Sequence, residues 1–182
     1  MAMAISVPLY TVDDLEHFPD DGNRYELLDG VLLVTPQAAL VHQIVANRIQ
    51  GELFLALQKP GLAHVVGPGA VVRMPNTQLQ PDILVVPARF SPMTDWHKIT
   101  EHWLAVEILS RSSRIYDREF KRDAYFALGV QQVWLVDWRD TSVEVCTSKG
   151  ESRVVRNKIT WRIAGIEVAV DLRKVFSGLT AK

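Results

Sequence analysis

Cysteine is nearly absent: Cys146 is the only one in 182 residues, so no intrachain disulfide can form and no cysteine-based zinc site can be built. Long apolar runs are missing as well. None approaches the roughly 20 residues that span a bilayer, and the stretch 1–9 has neither the charged start nor the length of a signal peptide. There is no surplus of charge, the net value being −1. No global basic field therefore marks a nucleic-acid binder, and such a partner would have to be held by a local patch. The chain has no Gly-x-Ser-x-Gly turn and no Walker-type phosphate loop, Gly67-Pro68-Gly69 being a turn signal only. These absences favour a soluble cytoplasmic protein with no membrane partner. With 48% hydrophobic and 23% charged residues, the composition is that of an ordinary globular domain, and the length suits one domain over the whole chain.

What stands out against this background is a pair of acids in apolar surroundings. Asp82 lies in Gln80-Pro81-Asp82-Ile83-Leu84-Val85-Val86, and Glu107 in Trp103-Leu104-Ala105-Val106-Glu107-Ile108-Leu109. Each run has the length, apolar content and flanking breakers of a strand buried on both faces. A carboxylate there is costly without a partner, and two close together repel. A divalent cation between them removes both difficulties, so the pair reads first as a metal site.

The rest of the chain supplies a frame. A short helix capped by Thr11 is followed by a hairpin over 24–34 with Asp29-Gly30 at its turn, a pair suited to type I′ geometry. Thr35 as N-cap and Pro36 at the first helical position open a helix over 37–57, with Val41, Val45, Ile49, Leu53 and Ala56 as its buried stripe. Strands are predicted at 70–74, 82–86 and 102–109, then a helix over 114–128 ended by Gly129, then a strand at 133–137. The tail reads as a β-meander (143–146, 153–156, 166–170) closed by a short helix from Asp171. The fold class is α/β, an α+β mixed sheet whose core order is helix, three strands, helix, strand. If the second and third core strands pair antiparallel, the start of one lies beside the end of the other, and Asp82 meets Glu107.

Phosphodiester hydrolysis suits such a pair, because it needs a cation to polarise a phosphate oxygen and to lower the pKa of the attacking water. Mg2+ fits best, needing few protein carboxylates, with Mn2+ as a substitute. Many such sites place a lysine two residues beyond the acid, facing the same way, but here that residue is Leu109. Lys121 on the following helix can replace it; the plainer alternative is a solvated pair with Asp117 at i, i+4. On that helix Phe120, Ala124, Ala127 and Leu128 form the apolar stripe, with Arg114, Arg118, Lys121, Arg122 and Tyr125 on the polar side and Lys121 at the border. Glu26 on an apolar hairpin face is either a metal ligand, directly or through water, or the partner of an arginine such as Arg24. His42 can orient a water or phosphate, or be a boundary residue with a backbone partner. Arg111, Arg114, Arg118, Lys121 and Arg122 form the one dense basic run, suited to phosphate-backbone contact or to a solvated helix face. The five tryptophans fit core or interface better than base stacking, and two-sided burial of Trp138 and Trp161 would point to a homodimer. A glycosidase would need one protonated acid and open sugar-binding aromatics, which this setting does not suggest.

These residues together resemble the Uma2 family, a branch of the PD-(D/E)XK restriction-endonuclease-like superfamily. The matching pieces, in order, are Arg24-Tyr25-Glu26-Leu27-Leu28-Asp29-Gly30, His42, Gln80-Pro81-Asp82-Ile83-Leu84-Val85-Val86, Val106-Glu107-Ile108-Leu109-Ser110-Arg111-Ser112-Ser113, Asp117 with Lys121, and Tyr125-Phe126-Ala127-Leu128-Gly129-Val130 leading to Val133-Trp134-Leu135-Val136-Asp137. The match runs over about 10–176. Arg111 departs from it, since the family usually has proline between the two serines. The resemblance implies a restriction-endonuclease-like αβββαβ core with Asp82 and Glu107 as metal ligands. It also implies a lysine migrated from strand to helix, which puts Lys121 in the site, and it favours a role there for Glu26. The reading is a Mg2+-dependent endonuclease acting on DNA. From a different class, the alternative is a catalytically inactive nucleic-acid-binding or assembly module on the same fold.

Overall fold

The computed structural model describes residues 8–110 and 120–179. In chain order its regular elements are β1 (Arg24–Leu28), β2 (Val31–Thr35), α1 (Leu40–Leu53), β3 (Ala63–Val66), β4 (Val71–Arg73), β5 (Thr77–Leu79), β6 (Ile83–Pro87), β7 (His102–Ile108), α2 (Arg122–Ala127), β8 (Val130–Asp137), β9 (Ser142–Thr147), β10 (Ser152–Val155), β11 (Lys158–Ile163), β12 (Ile166–Asp171) and α3 (Leu172–Val175). A six-stranded sheet in the order β10-β9-β8-β7-β6-β3 forms the centre. Its middle strands β6, β7 and β8 are nearly continuous apolar runs because both faces are covered. All pairings in it are antiparallel except β7 with β8. That parallel pair needs a crossover, and the segment containing α2 supplies it.

Each face of the sheet carries its own core. On one side Val45, Ile49 and Leu53 of α1 pack with Trp134, Trp161, Val170 and Phe176. On the other, Leu79 and Val71 of a small sheet pack with Tyr125 of α2 and with Leu84, Ala105 and Leu135. That small sheet runs β2-β1-β5-β4. Its hairpin turn is as the sequence indicates: Asp29 (φ 49°) and Gly30 (φ 84°) are both left-handed, and Leu28 pairs with Val31. Among the described residues no helix is long and apolar enough to cross a membrane.

Several boundaries differ from the sequence reading. Thr35 does not cap a helix; it ends β2 opposite Arg24, and α1 starts at Leu40 with Ala39 as an N-cap that makes no side-chain bond. Hairpin pairing outweighs the local capping signal, and an irregular stretch separates β2 from α1. The helix closes with a π-helical turn over Phe54–Gln58. Near the start, the 3-10 turn Asp13–His17 has no side-chain cap; Thr11 instead donates to the Asp14 carboxylate. Strands β3, β5 and β11 carry no long apolar run of their own and were not anticipated. The C-terminal meander divides in two: β9 and β10 extend the central sheet, while β11 and β12 form a separate hairpin. Asp171 does cap α3, accepting from the Arg173 N–H. Trp161 is buried edge-on against Trp134 with ring centres 5.9 Å apart, so core packing accounts for it.

The stripe assigned to the second helix is rotated: Ala124 and Leu128 do pack on the core, but Phe120 and Ala127 face outward. Phe120 is 55% exposed, while Lys121 is 4% and Tyr125 0% exposed. Lys121 and Tyr125, one turn apart, form the inward face because acids wait beneath them.

Candidate active site

Asp82 and Glu107 meet at the rim of the central sheet. β6 pairs with β7 so that Ile83 lies opposite Val106, and one further step of that register sets Asp82 opposite Glu107. The antiparallel pairing thus brings together two residues 25 positions apart in the chain and sends their side chains to one face. Both line a cleft of about 270 Å3, with Arg24, His42, Lys121, Trp138 and Arg139.

Asp82 is 8% exposed and strongly held. Its Oδ1 accepts from Arg24 at 2.9 Å, and its Oδ2 accepts from the Ile108 N–H at 2.8 Å and faces His42 Nε2 at 3.0 Å. Burial works to raise its pKa, but the hydrogen bond and charge of His42, the charge of Arg24 and the Ile108 N–H outweigh it and hold the carboxyl below its usual range. The strand start is also fixed from outside. A Cβ added at Gly67 would lie 2.6 Å from the Asp82 carbonyl oxygen, so the Gly67-Pro68-Gly69 turn packs directly on the backbone that carries the acid. His42 reaches Asp82 from the first turn of α1. Its Nδ1 is buried with no hydrogen-bond partner among the described residues.

Glu107 is 3% exposed. Its Oε1 accepts from the Tyr125 hydroxyl at 2.6 Å and lies 3.4 Å from Lys121 Nζ. Burial, then the charges of Glu107 and Glu26, push the Tyr125 phenol well above its ordinary pKa, so it remains a donor. Lys121 Nζ also donates to Glu26 at 2.7 Å and 3.0 Å. Glu26 is 0% exposed, accepts from the Gln80 N–H at 2.7 Å and does not line the cleft. It is therefore the buried counter-ion of Lys121, and its partner is that lysine rather than Arg24.

Among the described residues three carboxylates, Glu26, Asp82 and Glu107, gather around two permanent cations, Arg24 and Lys121. Asp82 and Glu107 are the acids a cation could reach from the cleft. Oδ1 of Asp82 accepts one hydrogen bond and keeps a second lone pair. The donors are oxygens, as a hard cation requires. Among the described residues no group of three or more His, Cys, Asp and Glu that could hold a metal ion is present.

The basic run is only partly visible here. Arg111, Arg114 and Arg118 lie outside the described residues. Arg122 pairs with Asp123 at 2.8 Å and is not among the cleft residues. Other contributors escaped the sequence reading. Arg24 could have been found, since it lies two residues from Glu26 and so shares its strand face. Tyr125 follows from Lys121 by one helical turn. Trp138 and Arg139, just beyond the end of β8, carry no sequence signal.

No curated protein matches the chain. A crystal structure described as a putative nuclease belonging to DUF820, from Anabaena variabilis, superposes with a TM-score of 0.74 over 92% of this chain and 97% of that one, at 16% identity. At that identity the likeness establishes the shared fold. The model of the Uma2 family, described as "Putative restriction endonuclease", matches residues 12–172, and the chain belongs to that family.

Proposed function

We propose that this protein is a Mg2+-dependent endonuclease that hydrolyses phosphodiester bonds in DNA, with Mn2+ as a substitute ion. The observation that carries the reading is the convergence of Asp82 and Glu107 from adjacent antiparallel strands on one cleft, with Lys121 beside Glu107. Asp82 and Glu107 hold the cation, which when bound polarises a phosphate oxygen and activates water. Lys121 positions the attacking water or offsets charge growing on the scissile phosphate. Glu26 fixes the lysine from behind, and Tyr125 fixes Glu107. His42 and Arg24 orient Asp82.

Purified protein should nick circular DNA, single-stranded or supercoiled, in Mg2+ or Mn2+, and Asp82→Asn or Glu107→Gln should remove that activity. Equal nicking by wild type and both variants would identify a contaminant and overturn the assignment. A second reading, a non-catalytic nucleic-acid-binding module, is favoured by one feature: Arg24, His42 and the Ile108 N–H already take up Asp82. Calorimetric titration separates the two, because the module would bind DNA in a salt-sensitive way without measurable Mg2+ or Mn2+ binding.

A further inference from the structure

We propose that Trp138 and Arg139 form the substrate-holding wall of the cleft, and that the wall takes nucleotides of an unpaired DNA strand rather than of a regular duplex. The inference rests on the nuclease reading and adds the class of substrate. It starts from the cations that line the cleft. Arg24 is committed to Asp82 at 2.9 Å and Lys121 to Glu26 at 2.7 Å. Arg139 makes no ion pair with a carboxylate among the described residues, and its guanidinium carbon lies 4.6 Å from the centre of the Trp138 ring. Trp138 is half-buried and packs on the core beneath α1, so the ring is a fixed support and Arg139 a cation propped on it at the mouth of the site. Among the described residues that line the cleft, Arg139 is the permanent cation that an incoming phosphodiester meets without a carboxylate partner. A guanidinium held over an aromatic ring also offers a flat surface on which a base can stack.

Shape decides between one strand and two. The acids expose only 8% (Asp82) and 3% (Glu107) of their surface, so a scissile phosphate must enter the cleft to reach them. Thr35 to Ala39 line the cleft, as do Trp138 and Arg139. Its volume, about 270 Å3, lies just under the range of roughly 300–1,000 Å3 typical of small-molecule clefts. It suits a nucleotide-sized group. In a regular duplex each phosphate sits on a convex, stacked rod, whereas an unpaired strand can turn one phosphate and its base inward.

The test is fluorescence anisotropy of the Glu107→Gln protein in Mg2+, with a labelled single strand and with the same strand in a blunt duplex. The single strand should bind at least about tenfold tighter. Arg139→Ala should weaken that binding about tenfold and reduce the slope of log affinity against log salt by about 0.7, the loss of one phosphate contact on a single strand. Trp138→Phe, which keeps a ring on the core, should weaken it less than Trp138→Ala. Duplex binding as tight as single-strand binding, or an unchanged salt slope in Arg139→Ala, would overturn the inference and leave the nuclease reading standing. No binding to either DNA would overturn both.

Discussion

Strand β7 buries an ionisable group at each end, and the two are treated in opposite ways. Glu107, near its C-terminal end, is 3% exposed and has Tyr125 at 2.6 Å and Lys121 at 3.4 Å. His102, at its start, is also 3% exposed, yet neither ring nitrogen has a hydrogen-bond partner among the described residues. Burial alone therefore does not mark a site. At Glu107 the fold supplies a donor, a cation and a cleft. At His102 it supplies no hydrogen-bond partner among the described residues, and burial, opposed by the charge of Glu101, lowers the imidazole pKa from 6.5 to about 4. One end of the strand partners its ionisable group and the other suppresses a charge.

The largest expected effect tests the functional end. Glu107→Gln keeps the shape and removes the charge, so cleavage of circular DNA, single-stranded or supercoiled, in Mg2+ should fall by about 10^3-fold or more while the melting temperature stays near that of wild type. If cleavage survives, Glu107 is merely a well-satisfied core acid and the contrast with His102 loses its functional meaning. Next comes Lys121→Met. Removing one partner of a buried ion pair leaves Glu26 uncompensated and should cost about 3–5 kcal/mol in urea unfolding. The double variant Glu26→Gln/Lys121→Met should recover most of that loss without recovering activity. A single variant as stable as wild type would mean that Lys121 is not held as the distances of 2.7 Å and 3.0 Å indicate.

How far this site was readable in the sequence depends on how each residue reaches it. Asp82 and Glu107 were legible because a charge inside a buried-strand pattern is anomalous and antiparallel pairing dictates their meeting. Lys121 was ambiguous. Helical periodicity with Phe120 as an anchor left the wheel turned partly off, with Ala124 and Leu128 inward as expected but Phe120 outward, since acids contributed by β1 and β7 decide which face points inward, and no local pattern encodes them. Arg139 was invisible, because its position depends on a loop geometry and on a tryptophan that from sequence alone reads as core. The same holds for the fold. The hairpin and the three middle strands follow from turn chemistry and apolar runs, whereas β3, β5 and β11 are set by the neighbours they pair with.

The silent end of β7 gives a pH prediction. The folded state binds the His102 proton less readily than the unfolded chain, so the unfolded state takes up the extra proton between about pH 6.5 and 4. This contribution to stability is complete above about 6.5 and is lost as the pH falls towards 4. The loss should approach roughly 3 kcal/mol, from 1.36 kcal/mol per pKa unit. His102→Leu should abolish this component of the acid-side slope in urea unfolding, and at pH 7 it should be no less stable than wild type, because an unsatisfied buried polar group is replaced by an apolar one. An unchanged slope would show that other groups carry the acid response.

The smallest effect separates holding a charge from using it. Tyr125→Phe deletes one hydroxyl and leaves the ring in its packing, so the loss is that of a single hydrogen bond to a charged acceptor, about 1.5–3 kcal/mol at most. Lys121 remains beside Glu107, and the net figure should lie at the lower end. If Tyr125 serves to position Glu107 for the cation, the variant should need several-fold more Mg2+ for half-maximal cleavage and show a lower kcat, with its KM for DNA unchanged, since the phenol does not line the cleft. A stability loss with unaltered Mg2+ dependence would make the bond a structural one only. Glu107 would then resemble His102 in being a buried group whose surroundings concern folding alone.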